Sequence, residues 1–362
     1  MFTKNKKELL IHIGAGKTGT TSLQYFFWAN RRALKTHGIL YPELGAVAGA
    51  HHLLSPHLPP FLNWTFIPAA EWAPQLHAKM DKRALISSEI ISSATPDVVR
   101  AFAPQVNRYF KPKIILYVRR QDRWMVAAYS QQVKAGTQRL DFTSSLDFWF
   151  RGANFAERLK AWIEAFGAEN IIVRPYERGQ LSGGDIRRDF LNGILGIDDD
   201  EAFNWTDVNE NPRLTFSALE YKRLINNVVP VVADSRVFIE PLLAYSAEKD
   251  QNSTAIYNES SLLSAIERRM ILNRVAEANS GIARDLMGRA DGVLFAEETP
   301  KEDKDWVPPV ATPEDFAEIS DYLNATGHGQ KLLQCIDEAV ENNRFEGYRH
   351  AQTLAASFGR KL

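Results

Sequence analysis

The chain of 362 residues, 45% hydrophobic and 24% charged, is long enough to bury a full core and ordinary in composition for a folded globular protein. Its formal net charge of -1 and sequence pI of 6.7 exclude bulk basicity as a route to nucleic acid or to an anionic membrane. The single cysteine, Cys335, excludes an intrachain disulfide. No apolar run approaches the roughly 20 residues of a membrane span, and Met1 to Glu8 runs into a short apolar segment with no cleavage site. A cytoplasmic location is therefore the expectation.

In chain order, Glu8 to Gly14 reads as a strand ending in glycine, and a helix follows with Leu23, Phe26, Phe27 and Leu34 on one face. Ile39 to Tyr41 reads as a short strand. Residues 45–72 carry Gly, Ala, Pro, His and aromatic residues without a period, the texture of a long functional loop. Ala84 to Ser88, Lys113 to Arg119 and Asn170 to Arg174 read as buried strands. Asp97 to Phe110, Arg123 to Lys134, Leu146 to Phe166 and Asp185 to Leu195 read as helices. Strands alternating with helices predict an α/β fold of three layers with a central, mostly parallel sheet. From about residue 200 the pattern is mostly helical, with helices over Arg213 to Asn227 and Ser261 to Ala283. The charged stretch Glu297 to Asp305 reads as a linker, and helices over Pro313 to Tyr322 and Gln330 to Phe358 as a small tail. The expected division is thus an α/β domain over 1–298 and a linker with helical extension over 299–362.

The chemistry concentrates in Ile11-His-Ile-Gly-Ala-Gly-Lys-Thr-Gly-Thr-Thr-Ser-Leu-Gln24, between the first strand and the first helix. Ligands of open parallel sheets bind at carboxyl strand ends, where a helix N-terminus attracts anions. Gly14, Gly16 and Gly19 let main-chain N–H groups curl around an oxyanion, Lys17 adds a point charge, and Thr18, Thr20, Thr21 and Ser22 add hydroxyls. A plain helix-capping turn is the bland alternative. Gly14 and Gly19 have the separation of a Walker A loop, but Thr20 stands where its lysine would be. The clearest strand ends in Arg119-Arg120, where a Mg²⁺-dependent enzyme needs an acid. No metal is expected.

These residues resemble the sulfotransferase family, whose donor is 3′-phosphoadenosine 5′-phosphosulfate (PAPS) and whose fold is P-loop-NTPase-like. Lys17-Thr-Gly-Thr-Thr21 is similar to its 5′-phosphosulfate loop, Leu116 to Asp122 to its 3′-phosphate strand and turn, and Ile171 to Glu177 to its third nucleotide-side strand. Val208-Asn209 and Asn279 look like the bacterial branch. The resemblance covers roughly residues 8–298. It implies that Gly16, Lys17, Thr18, Gly19, Thr20, Thr21 and Ser22 hold the donor's sulfuryl group and 5′-phosphate. It further implies that Arg119 binds the 3′-phosphate, that Tyr176 lies near the adenine, and that the product is adenosine 3′,5′-bisphosphate. The family's serine about two helical turns after the arginine is Ala127 here, and Ser130 lies one turn further on. Arg120 and Arg123 either reinforce that site or are solvated helix charges.

Sulfuryl transfer needs a base for the acceptor hydroxyl and a cation for the leaving phosphate. Lys17 suits the second task. Glu89, just past the strand Ala84–Ser88, suits the first, and the resemblance puts a glycan sulfotransferase's catalytic glutamate there. His51 and His52 are a rival base or acceptor contacts. The acceptor is expected to be a glycan or small metabolite, with no nucleic acid and no membrane span involved. A Mg²⁺-dependent small-molecule kinase with a degenerate loop, and a non-catalytic nucleotide-binding protein of the same fold, remain open.

Overall fold

The computed structural model describes residues 6–58, 64–198, 201–206, 213–250, 262–298, 301, 305–342 and 345–362. Five parallel strands are arranged in the order β2-β3-β1-β4-β5. They are β1 (Lys7–His12), β2 (Ile39–Leu40), β3 (Arg83–Ser87), β4 (Phe110–Val118) and β5 (Ile171–Pro175). The inner strands are apolar without alternation because both faces of the sheet are covered. Leu9, Leu10 and Ile11 of β1 and all of 114–118 in β4 are at most 2% exposed.

One face is covered by α1 (Thr20–Ala29) and α2 (Arg31–Thr36), whose Leu23, Phe26, Phe27 and Leu34 share a cluster with Leu10, Leu85 and Ile115. On the other face α3 (Ala69–Lys79) packs on α4 (Pro96–Asn107), and α4 packs on β4 and on the helix Phe155–Phe166. The chain therefore adopts the expected three-layer α/β class with a parallel, P-loop-like sheet. β1 lies between β3 and β4, so the chain turns outward in opposite directions from it. Such a reversal leaves a crevice at the carboxyl strand ends.

Contacts divide the chain into two compact units. The first comprises Met1–Gln121, Asn154–Val208 and Leu272–Thr299; the second comprises Asp122–Ala153, Asn209–Ile271 and Pro300–Leu362. One boundary falls between Thr299 and Pro300, and the C-terminal extension clusters with 122–153 and 209–271. In the second unit, helices Pro313–Ala325, Gly329–Glu341 and Phe345–Ser357 pack on the helix Phe216–Val228. Tyr221 and Ser320 share a 2.7 Å hydrogen bond there. Lys222 is wholly buried, donating to Ser235 Oγ at 2.7 Å and to Asn226 Oδ1, and burial pushes its ammonium down to about 7.

Several helices differ from expectation. The segment 146–166 is two helices, because Asn154 interrupts it and its side chain accepts from Glu157 N–H as an N-cap. The segment 261–283 likewise contains two helices, Ala265–Arg274 and Ala276–Met287. Helices Val232–Arg236 and Ile239–Asp250 were not anticipated. Val208-Asn209 lies outside the described residues. Among the described residues no helix is long and apolar enough to cross a membrane.

Candidate functional site

The turn after β1 is built from unusual backbone. Gly14 (φ 55°), Gly16 (φ 59°), Lys17 (φ 55°) and Gly19 (φ 73°) are all left-handed. Such a succession turns main-chain N–H groups to one side, the arrangement that cradles anions. Gly19 is the N-cap of α1 and has no side chain to accept from the first-turn N–H groups. Two glycines are sterically required. A Cβ on Gly14 would stand 3.1 Å from Glu89 Cα, and one on Gly19 would stand 2.9 Å from the Tyr176 ring. Gly16 is different: a Cβ there would meet nothing within 4 Å. Its φ, not crowding, accounts for the glycine.

Lys17 is a lysine held in a conformation that favours glycine, and Arg119 Nη1 donates to its carbonyl at 3.0 Å. The Arg119 guanidinium lies 5.6 Å from the Tyr176 ring centroid. Thr18 and Thr20 are buried in the turn with hydroxyls 3.5 Å apart. Thr21 is exposed. Ser22 is half-buried and lines a cavity of about 310 Å³ with Tyr25, Phe26, Trp28 and Arg187. Gly16 to Ser22, Arg119 and Tyr176 thus fall in one neighbourhood of the first unit.

Glu89 begins a short 3-10 turn at the carboxyl end of β3 and packs on Gly14. Its Oε2 accepts from Gln24 Nε2 at 2.8 Å. The two histidines beside it are built differently. His51 is wholly buried; its Nδ1 accepts from Ser87 N–H at 3.1 Å and its Nε2 meets the Pro42 carbonyl at 2.8 Å. Burial pushes it down to about 4, so it is a neutral imidazole with both nitrogens engaged. His52 is half-buried, with Nδ1 2.8 Å from Ser88 Oγ and its ring stacked on Trp64, 39% exposed. Burial lowers its pKa and the Glu89 carboxylate opposes that shift, so the two groups feel each other.

Arg120 and Asn279 are fixed within the first unit. Arg120 is 5% exposed, donates to the Glu298 carbonyl at 3.1 Å and pairs with Glu297 at 3.5 Å, so it is not a solvated charge. Asn279 exchanges amide hydrogen bonds with Gln121. Ser130 belongs to the second unit, where its hydroxyl donates to the Val126 carbonyl at 3.0 Å.

Sequence reasoning gave no role to three buried polar residues beside Glu89: Gln24, Ser87 and His12. The available signal was Gln24 on the apolar face of α1, next to Leu23.

No protein-family model matches the chain. It is similar, at 29% identity over 185 residues, to an uncharacterized protein of Archaeoglobus fulgidus. That match takes in 51% of this chain and 48% of the other protein, so the chain spans about half the length of the curated relative it matches. Among solved structures it is similar to a sulfotransferase from Alicyclobacillus acidocaldarius at 18% identity and a TM-score of 0.38, covering 64% of this chain and 95% of that one. A superposition that loose carries no functional weight.

Proposed function

We propose that the chain is a sulfotransferase that moves a sulfuryl group from PAPS to a hydroxyl of a glycan or small metabolite. The observation that supports this best is the left-handed turn 14–19 with a carboxylate, Glu89, packed against its first glycine. A tetrahedral oxyanion suits a concave set of N–H donors at a helix N-terminus, and the open space over Gly16 leaves room for one. In this reading Gly16 to Ser22 hold the 5′-phosphosulfate, Arg119 binds the 3′-phosphate, and Tyr176 borders the adenine. Ser130 is left out, because its hydroxyl proton is committed to Val126.

The chemistry is an in-line displacement. Glu89 takes the proton of the acceptor hydroxyl as its oxygen bonds to sulfur. The bond from sulfur to the 5′-phosphate oxygen breaks, and Lys17 stabilises the charge left on that phosphate. His51 is not proposed to contact the acceptor, since both ring nitrogens are engaged. His52, stacked under the exposed Trp64, is the proposed acceptor contact, and an aromatic face there suits a sugar ring.

The test is thermal stabilisation by adenosine 3′,5′-bisphosphate without metal, followed by turnover of radiolabelled PAPS. Stabilisation with sulfate transfer supports the proposal. A response confined to ATP with Mg²⁺ would replace it with the kinase reading, and binding without transfer would leave a non-catalytic nucleotide-binding protein.

A further inference from the structure

Gln24 is 4% exposed on a helix face that otherwise buries Leu23, Phe26 and Phe27. A buried amide must find partners, and this one has two: Nε2 donates to Glu89 Oε2 at 2.8 Å and reaches Ser87 Oγ at 3.4 Å. Ser87 Oγ in turn lies 2.8 Å from His12 Nδ1. His12 is wholly buried, edge-on to the rings of Tyr117 and Phe190, and its Nε2 has no partner. Burial pushes the imidazole down to about 3, so it is neutral.

A neutral imidazole carries one N–H. In either tautomer the Ser87 oxygen keeps a lone pair for Gln24: it donates to Nδ1 when the imidazole proton is on Nε2, and accepts from Nδ1–H when it is not. The second N–H of Gln24 goes to the carboxylate. Turning the Gln24 amide over would set its carbonyl oxygen against the Glu89 carboxylate oxygen. That contact is repulsive, so the amide has one stable orientation.

We infer that Gln24 is a positioning residue for Glu89. It pins Oε2 and leaves Oε1 as the oxygen that takes the acceptor's proton, while Ser87 gives the amide its second acceptor. The inference rests on the reading of Glu89 as the base. Gln24 touches no reacting atom; it acts through the carboxylate.

The test uses hydrolysis of radiolabelled PAPS, with water as acceptor, by the full chain. Glu89→Gln should lower kcat by about a hundredfold or more, the usual contribution of a general base. Gln24→Met, close in shape but unable to donate, should lower kcat by about tenfold with KM for PAPS unchanged, the loss expected for one hydrogen bond to a charged group. Added to Glu89→Gln, Gln24→Met should cause no further loss, because there is no longer a base to position. A structural role would instead lower activity equally in both backgrounds. Wild-type kcat in Gln24→Met, or equal losses in the two backgrounds, overturns the inference and leaves the sulfotransferase reading intact. Full activity in Glu89→Gln, or no PAPS turnover by the wild type, overturns the reading of the base and the inference with it. If Gln24→Met does not fold, the Gln24 side-chain amide signal of nitrogen-labelled protein decides. The inference requires that signal to move with pH in the wild type and to stay fixed in Glu89→Gln; a signal indifferent to pH in both overturns it.

Discussion

Two sides of one strand, β1, are built by different means. Toward α1, the turn 14–19 is a matter of main-chain conformation, with four left-handed residues and glycines where a Cβ would collide. Toward β3, residues 51–52 and 87–89 are joined through side chains, with imidazoles hydrogen-bonded to buried serines and to the Pro42 carbonyl. The difference predicts different failures. Backbone geometry is indifferent to protonation but intolerant of added carbon, whereas a histidine network depends on its imidazoles staying neutral.

Acid should break the second side first, and this is the largest expected effect. His51 is held near 4 and His12 near 3, against an unfolded value of 6.5. Below pH 6.5 the unfolded chain takes up protons that the folded chain refuses. Stability is therefore lost as pH falls from 6.5 toward 4 for His51 and toward 3 for His12, by roughly 3 kcal/mol from His51 alone. Urea unfolding midpoints measured across that range should show the slope, and His51→Gln should flatten it. An identical slope in that variant would count against the contrast.

On the first side the expected penalty does not vary with pH. Gly14→Ala adds a carbon 3.0 Å from Thr20 Oγ1 and 3.1 Å from Glu89 Cα at a φ of 55°. It should destabilise the chain by about 2 kcal/mol and abolish binding of adenosine 3′,5′-bisphosphate, read by denaturation and calorimetry. A smaller effect is expected for Arg119→Lys. It removes a planar donor from the Lys17 carbonyl, and should weaken bisphosphate binding by about fivefold at a stability loss of about 1 kcal/mol. Smallest of all, Lys17→Gly relieves a left-handed lysine and should stabilise the fold by about 0.5–1 kcal/mol while sulfuryl transfer is lost. A destabilised Lys17→Gly would show that the side chain, not only the carbonyl, holds the turn.

The same division explains what the sequence made legible. Glycines and threonines between an apolar run and an amphipathic helix announce the turn, because its requirements are local in the chain. The place of Glu89 at the end of β3 was legible for a similar reason, since it is the first charged residue after a buried strand. Gln24, Ser87 and His12 were not, because each reads as an isolated polar residue until strands β1 and β3 and helix α1 bring them together. His51 and His52 look equivalent in sequence. Only the register of 51 against Ser87, and the exposure of Trp64 beside 52, separates them. The five parallel strands followed from continuous apolar runs. The helix break at Asn154 was missed because a polar cap within a long amphipathic stretch resembles one more solvent-facing position.

His51 has one more consequence. β2 is only two residues long and pairs with β3 at Arg83 and Ala84, so it leaves the far end of β3 at the margin of the sheet. There the His51 main-chain N–H takes the Ser87 carbonyl at 2.8 Å, and the His51 ring takes the Ser87 N–H. One residue thus occupies both groups that an incoming strand from another molecule would use. The imidazole stands in for a missing length of β2, taking a buried main-chain N–H that would otherwise be left without an acceptor.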